Sequence, residues 1–143
     1  MQVSQLLRRK GTAVATIAPT ASVSAVLESL ASNGIGALVV SADGRSVDGI
    51  VSERDIVRRL ASDGAAVLDQ PVGSIMTSSV RTCAPDASVD ELMSLMTEGR
   101  FRHVPVTEDG ALVGIVSIGD IVNARVRELE TETEQLTSYI SGR

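Results

Sequence analysis

Apolar residues recur along the chain with the 3.6-residue period of helices that bury one face. Two segments show this pattern at positions i, i+3, i+4 and i+7, namely Val23, Val26, Leu27 and Leu30, and Val89, Leu92, Met93 and Met96. Ser22 and Ser88 precede them at the place of a helix N-cap. Asn33-Gly34 and Gly99 follow, where residues that tolerate positive φ end helices. Both segments are therefore predicted to be amphipathic helices.

Short apolar runs separated by turn residues predict a pair of strands after each of these helices. The strands are expected at Ala37 to Val40 and Val47 to Val51 in the first half, and at Val104 to Val106 and Leu112 to Val116 in the second. Asp43-Gly44 and Asp109-Gly110 lie between them, and Asp-Gly is a strong signal for a hairpin turn. Further helices are predicted at Val3 to Arg9, at Val72 to Met76, and from Ser52 and Ser117 onward.

The predicted elements occur twice in the same order, which indicates an internal duplication. Residues 16–23 match residues 82–89 at a spacing of 66, and residues 49–57 match residues 114–122 at a spacing of 65. Each repeat reads strand, helix, strand, strand, helix, an α/β (α+β) fold class. A unit of about 60 residues hides only about 60% of its surface, so we expect two repeats packed about a pseudo-twofold axis. The expected boundaries are 1–62 and 72–128 for the repeats, 63–71 for a linker and 129–143 for a C-terminal helix or tail.

A Gly-x-x-Ser-x-x-Asp motif ends the last strand of both repeats and contains Ser52 and Asp55 in the first, Ser117 and Asp120 in the second. The free N–H groups and the dipole at the start of a helix favour binding of an anion, and the serine hydroxyl adds one more hydrogen-bond donor. A carboxylate one turn later repels phosphate but can accept hydrogen bonds from ribose hydroxyls. The alternative is purely structural, with the serine capping the helix and the aspartate in its first turn. The same offset in both copies favours a phosphate-and-ribose pair.

The duplicated motif, with its upstream apolar-Pro-Val strand and Asp-Gly turn, resembles the CBS domain, named after cystathionine β-synthase. The resemblance covers roughly residues 1 to 128. It implies two clefts related by the pseudo-twofold axis, which bind AMP, ADP, ATP, NAD or S-adenosylmethionine in different members. For chains of only two repeats it also implies disc-shaped homodimers.

The resemblance assigns nucleotide contacts to both repeats. Aspartates would hold ribose, serines and basic residues would hold phosphate, and the threonine that opens each repeat's first strand would contact the nucleotide. The residues so assigned are Thr16, Ser52, Arg54, Asp55, Thr82, Arg102, His103, Val104, Pro105, Ser117 and Asp120. The family layout further suggests that Arg54 and Arg102 converge on one phosphate group.

The two repeats differ in charge, so the two clefts are expected to differ in affinity or in ligand. Arg100, Arg102 and His103 form a basic cluster that the first repeat does not have at the same place. Arg54 lies between the serine and aspartate of the first motif, where the second has Gly119. These charges favour phosphate contacts, although a lone histidine beside a strand is also typical of a packed or surface residue.

Other chemically notable residues have simpler interpretations. Arg58 and Arg59 share a helix with acidic residues and are predicted to lie on a solvated face. Cys83 is expected to be a small buried hydrophobe, and the internal methionines to fill the core. The segment from Arg125 to Ile140 has a partial apolar stripe among glutamates. We expect a helix there that packs on a partner subunit or forms a solvated tail.

Composition excludes several classes of protein. Apolar residues make up 43% of the 143, but with one Phe, one Tyr and no Trp there is no aromatic platform for stacking bases. The net charge of -5 argues against nucleic-acid binding. The sequence has no apolar run long enough to span a membrane. The apolar stretch among its first residues is too short for a secretory signal. The single cysteine excludes an internal disulfide, and a cytoplasmic location is expected.

The expected function is a non-catalytic sensor or regulator that binds an adenine nucleotide, needs no cofactor or metal, and acts on a protein target that the sequence does not name. No nucleophile–base pair, metal-ligand spacing or Walker-type loop is recognisable. The alternatives are a structural or interaction dimer with vestigial clefts, a module that binds S-adenosylmethionine, and an enzyme or nucleic-acid binder.

Overall fold

The computed structural model describes residues 1–142 and shows the predicted mixture of helices and small sheets. Residue 143, the last of the predicted tail, lies outside the described residues. The helices are α1 (Val3–Lys10), α2 (Val23–Asn33), α3 (Glu53–Asp63), α4 (Val89–Gly99) and α5 (Ile118–Ile140). The strands are β1 (Thr16–Ile17), β2 (Ala37–Val40), β3 (Gly49–Ser52), β4 (His103–Glu108) and β5 (Ala111–Ser117).

Each repeat builds its own sheet, and the second is the less complete. In the first repeat β1 runs parallel to β2, which pairs antiparallel with β3. In the second, β4 pairs antiparallel with β5, with a register shift after Val106. The counterpart of β1 is a single parallel bridge between Cys83 and Val106. The predicted strand, helix, strand, strand, helix order is therefore complete in the first repeat, and the opening strand of the second is reduced to one bridge.

The two Asp-Gly turns fold differently. Asp109 and Gly110 have φ of 52° and 78°, so two residues with positive φ form the tight hairpin predicted between β4 and β5. The hairpin predicted at Asp43 is wrong, because residues 41–48 form a longer loop and β3 starts only at Gly49. The Asp43 carboxylate accepts hydrogen bonds from the N–H groups of Ser46 and Arg45, both at 2.8 Å. These bonds hold the pKa of Asp43 well below its usual range and make the loop a self-contained unit.

Helix ends follow the capping residues, with two exceptions. Ser22 Oγ accepts from the N–H of Ala25 at 3.1 Å, and Ser88 Oγ from that of Glu91 at 3.0 Å, as predicted for N-caps. The positive φ after α4 falls on Arg100 and not on Gly99, which is the last helical residue. The helix predicted over Val72 to Met76 is only a 3-10 turn at Val72–Ser74. The internal glycine, Gly73, disfavours a longer helix here.

Two hydrophobic clusters form the core, and each takes in the leading segment of the other repeat. Val3, Leu6 and Leu7 of α1 pack with the buried residues of α4, β4, β5 and α5. Val72 and Ile75 pack instead with α2, β2, β3 and α3 of the first repeat. The repeats are therefore interlocked through their leading segments.

A motif glycine lies at each place where a leading segment crosses a sheet. A Cβ built on Gly114 would lie 2.8 Å from Leu7 Cδ2, and one on Gly49 would lie 3.0 Å from the carbonyl oxygen of Thr77. The absence of a side chain at these two positions allows the close approach. Within residues 1–142 no helix is both long enough and apolar enough to cross a membrane.

Candidate functional site

A cavity of about 470 Å³ lies where the start of α3 faces segments of the second repeat. This volume lies within the range of small-molecule sites. Three stretches provide most of the wall, namely residues 52–55 with Arg58, residues 77 and 79–81, and residues 99–103, and the remainder comes from Gly36, Ala37 and Ile50. The interlocked packing holds these stretches together, because residues 77–81 directly follow the leading segment that packs on the first repeat.

The first Ser-x-x-Asp pair forms one side of the cavity. Ser52 Oγ accepts from the N–H of Asp55 at 3.2 Å, and Asp55 Oδ2 accepts from the N–H and the hydroxyl of Ser52, both at 2.9 Å. This reciprocal arrangement is a capping box, which fixes the start of α3. Oδ1 of Asp55 has no hydrogen-bond partner among residues 1–142. The structural role of the pair is thus present, and one carboxylate oxygen is still available to a ligand.

The cavity wall is strongly basic although the chain is acidic overall. Five arginines contribute to it: Arg54, Arg58, Arg81, Arg100 and Arg102. Glu53 and Asp55 are its acidic residues. These arginines come from α3, from residues 77–81 and from the approach to β4, so three segments that are distant in sequence contribute positive charge to one wall. Arginine presents a planar fork of donors that matches phosphate oxygens.

His103 contributes an aromatic ring to the same wall. The ring is half-buried, and a Cβ built on Gly36 would lie 3.6 Å from its Cε1 atom. Burial lowers the pKa of His103, and the charge of Lys10 lowers it further against the opposing effect of Asp120 and Glu53. The imidazole is therefore neutral at neutral pH, and the positive charge of the cavity comes from its arginines.

The second Ser-x-x-Asp pair repeats the capping box but does not face the cavity. Ser117 Oγ accepts from the N–H of Asp120 at 3.1 Å, and Asp120 Oδ2 accepts from the N–H of Ser117 at 2.8 Å. The same Oδ2 receives a hydrogen bond from Lys10 Nζ at 2.6 Å, and this ammonium also donates to the carbonyl oxygen of Ile115 at 2.7 Å. Burial raises the pKa of Asp120, but the bonds from Lys10 and Ser117 outweigh that effect and keep it below its usual range.

The structure brings some of the predicted site residues together and leaves others apart. Ser52, Arg54, Asp55, Arg102 and His103 line the cavity. The other assigned residues lie outside its wall: Thr16, Thr82, Val104, Pro105, Ser117 and Asp120. Thr16 pairs with Val39 in the first sheet, Thr82 is exposed, and Val104 and Pro105 are buried in β4.

Several residues of the wall were not predicted from the sequence. Arg58, assigned to a solvated face, is exposed but also lines the cavity, whereas Arg59 pairs with Asp63 at 3.0 Å on the outer face of α3. The sequence does not predict Arg81 and Ser79 as site residues, because the recognisable repeat starts at Thr82. Extending the 66-residue register by one position pairs Arg81 with Ala15, and this difference in charge between the repeats is the sequence signal that could have identified Arg81.

Comparison with known proteins identifies the family. The sequence signature of the CBS domain matches residues 3–62 and 72–127. The chain belongs to the CBS domain family and carries two repeats as a pair. The tandem fold predicted from the sequence is thereby confirmed.

A CBS-domain containing protein from Agrobacterium tumefaciens, solved as a crystal structure, is 49% identical. The similarity covers 87% of this chain and 99% of that one, with a TM-score of 0.84. The mitochondrial CBS domain-containing protein CBSX3 of Arabidopsis thaliana is 39% identical over 120 residues, which are 81% of this chain but 58% of the plant protein. The CBS domain pair of protein MJ0100 is 25% identical with a TM-score of 0.79, over 90% of this chain and 98% of that one. That pair was solved in complex with 5'-methylthioadenosine and S-adenosyl-L-methionine.

Proposed function

We propose that the chain is a non-catalytic regulatory module that binds an adenine nucleotide, AMP, ADP, ATP or NAD, in the cavity between its repeats. The observation that carries this proposal is the convergence of five arginines and the Asp55 carboxylate on one cavity of about 470 Å³. The guanidinium groups suit phosphate, and the free carboxylate oxygen suits the hydroxyls of a ribose. Adenosine ligands in the MJ0100 pair support the choice of an adenine compound.

A catalytic role receives no support from the reactive groups of the chain. Burial raises the pKa of the Cys83 thiol to about 11, so the sulfur is protonated at neutral pH and is a weak nucleophile. Among residues 1–142 no group of three His, Cys, Asp or Glu side chains could hold a metal ion. We further propose that the module is located in the cytoplasm.

The proposal is tested by calorimetry and thermal shift with AMP, ATP, NAD and S-adenosylmethionine. Asp55→Asn is expected to weaken nucleotide binding at least tenfold, because the amide removes the charge that orients ribose hydroxyls but can still accept the Ser52 N–H bond. Asp63→Asn on the same helix is the matched control, since Asp63 only pairs with Arg59 at the surface. Equal affinity of the two variants would remove Asp55 from the site. A wild-type protein that binds none of the panel would favour a structural dimer with vestigial clefts.

We also propose that the module is a homodimer that buries the outer face of α5. Residues 129–140 are exposed throughout, and a helix of that length is marginal in water without packing. Residues 122, 126, 129, 133, 136 and 140 alternate in steps of four and three, the a/d spacing of a coiled coil. The exposed apolar side chains of this stripe are Val122, Val126, Leu129, Leu136 and Ile140. Such a stripe is self-complementary, so a second copy is its simplest partner.

Leu129→Glu is expected to convert the dimer to a monomer, because it places a charge on the stripe where 60% of the leucine is exposed in the single chain. Thr131→Glu on the opposite face of α5 is the control and should leave the dimer intact. Sedimentation velocity gives the mass of each variant. A wild-type protein that sediments as a monomer at about 100 µM, which corresponds to roughly 5 kcal/mol of association, would contradict the interface.

A further inference from the structure

We propose that the two clefts of the pair have diverged, and this rests on the proposed nucleotide-binding function. The arginine-lined cavity takes the phosphate chain of a nucleoside di- or triphosphate. In the other cleft, Lys10 pairs with Oδ2 of the carboxylate that would hold ribose and neutralises its charge, so that each chain binds one nucleotide.

None of the five cavity arginines has a charged counterpart at the equivalent position of the other repeat. The internal registers of 65 and 66 residues pair Arg54 with Gly119, Arg58 with Asn123, Arg81 with Ala15, Arg100 with Gly34, and Arg102 with Gly36. The pseudo-twofold axis would place these uncharged residues around the second cleft. The absence of these five arginines from the other repeat concentrates phosphate affinity in one cleft.

The charge of the cavity selects among adenine compounds. Five guanidinium groups face two carboxylates, those of Glu53 and Asp55, which leaves an excess of three positive charges. A nucleoside di- or triphosphate neutralises that excess, whereas a monophosphate does so only in part. The sulfonium of S-adenosylmethionine adds a positive charge, and 5'-methylthioadenosine brings none. The ligands of the MJ0100 pair are therefore a poor match for this cavity.

The backbone at Arg100 supports the same inference. This residue follows α4 with φ 54° and ψ 40°, the left-handed conformation that favours glycine. Its counterpart Gly34 follows α2 with φ 62° and ψ 38°. The second repeat thus has an arginine in a conformation for which the first repeat uses glycine. Arg100 is also one of the residues that line the cavity. An unfavourable backbone state at a cavity points to a ligand contact.

Lys10 lies at the carboxylate of the second Ser-x-x-Asp pair. Its ammonium joins Asp120 Oδ2 and the Ile115 carbonyl oxygen at the end of β5, the position that would face a ribose. The exposed fractions are 32% for the Lys10 side chain and 21% for that of Asp120, so water screens the pair only in part. The register places Met76 opposite Lys10. The first cleft therefore has no equivalent ammonium. Among residues 1–142 neither Asp55 nor Asp120 has a hydrogen-bond partner at Oδ1, so the two clefts differ in the ammonium that neutralises Asp120 and not in the unpaired oxygen.

The test combines ligand choice with Lys10→Met. Calorimetry of the wild-type protein in magnesium-free buffer is expected to show one ATP per chain, at least tenfold weaker binding of AMP, and no heat from S-adenosylmethionine. In saturating ATP, adenosine should not bind the wild type, whereas Lys10→Met should bind one adenosine per chain. Lys10→Arg keeps the charge and should behave as the wild type. Lys10→Gln is a second variant, used if the methionine protein does not fold.

The outcomes separate the two proposals. Two equivalent ATP sites in the wild type, AMP binding as tight as ATP binding, or no adenosine binding to either uncharged Lys10 variant would overturn the division of the clefts. In all three cases the nucleotide-binding function would stand. If the wild-type protein bound no adenine nucleotide at all, the proposed function itself would fail, and this inference with it.

Discussion

Gly49→Val is expected to lower the free energy of unfolding by about 3 kcal/mol, because the crossing segment cannot move away from an added side chain. A Cβ on Gly49 would lie 3.0 Å from the carbonyl oxygen of Thr77 and would overlap the side chain of Met76. Ile50 and Thr77 exchange two backbone hydrogen bonds, at 2.9 and 3.0 Å, and displacement of this segment would break them. The same displacement would move residues 77–81, so the nucleotide affinity should fall together with the stability.

Urea denaturation followed by circular dichroism measures this effect, with Gly119→Ala as the matched control. At Gly119 the nearest atom to a Cβ is Ser117 Oγ at 3.6 Å, and the residue lies in the first turn of α5. A Gly→Ala change in an unstrained helix is expected to stabilise by about 0.5–1 kcal/mol. A Gly49→Val protein with the wild-type midpoint would show that the contact with residues 76–77 does not hold the repeats together.

Replacing three cavity arginines by their counterparts in the other repeat is expected to weaken ATP binding roughly a thousandfold. The variant is Arg81→Ala, Arg100→Gly and Arg102→Gly. Each lost charge-assisted hydrogen bond to phosphate contributes about 1.5 kcal/mol, which is about tenfold in affinity. All three side chains are exposed and lie outside the two hydrophobic clusters, so the fold should remain intact. Isothermal titration calorimetry measures the loss, and Arg59→Ala, outside the cavity, is the control.

The single variant Arg100→Gly should change stability and binding in opposite directions. Glycine relieves the left-handed backbone at this position, which costs a non-glycine residue about 1 kcal/mol. For a chain of this size the melting temperature should rise by roughly 3 °C while ATP binding weakens. A melting temperature below that of the wild type would show that Arg100 is a structural residue and that its conformation carries no information about a ligand.

The fold was predictable because both repeats keep the periodicity of their buried faces. Val23, Val26 and Leu30 form the stripe of α2 as predicted, and Ser22 caps it. The failures are local. The Asp43-Gly44 pair is typical of a hairpin, but the side chain of Asp43 closes a longer loop through hydrogen bonds that propensity does not encode.

The site was less predictable than the fold, because its walls come from segments that meet only after folding. The motif identified Asp55 at the cavity, and its second copy predicted a further nucleotide contact at Asp120. Lys10 occupies that carboxylate from a position 110 residues away, a contact that no local pattern contains. Arg81 was missed for the related reason that it precedes the recognisable start of its repeat.

The exchange of leading segments between the two clusters has a consequence for the origin of the chain. A single repeat of this design would leave its own sheet uncovered, because its first segment packs on the other repeat. Two identical half-length molecules could therefore reach the same packing only by exchanging their first segments. Gene fusion would then join an already entwined pair without altering any contact. Two separate polypeptides, cut in the 63–71 stretch, should accordingly reassemble when mixed and stay largely unfolded when alone.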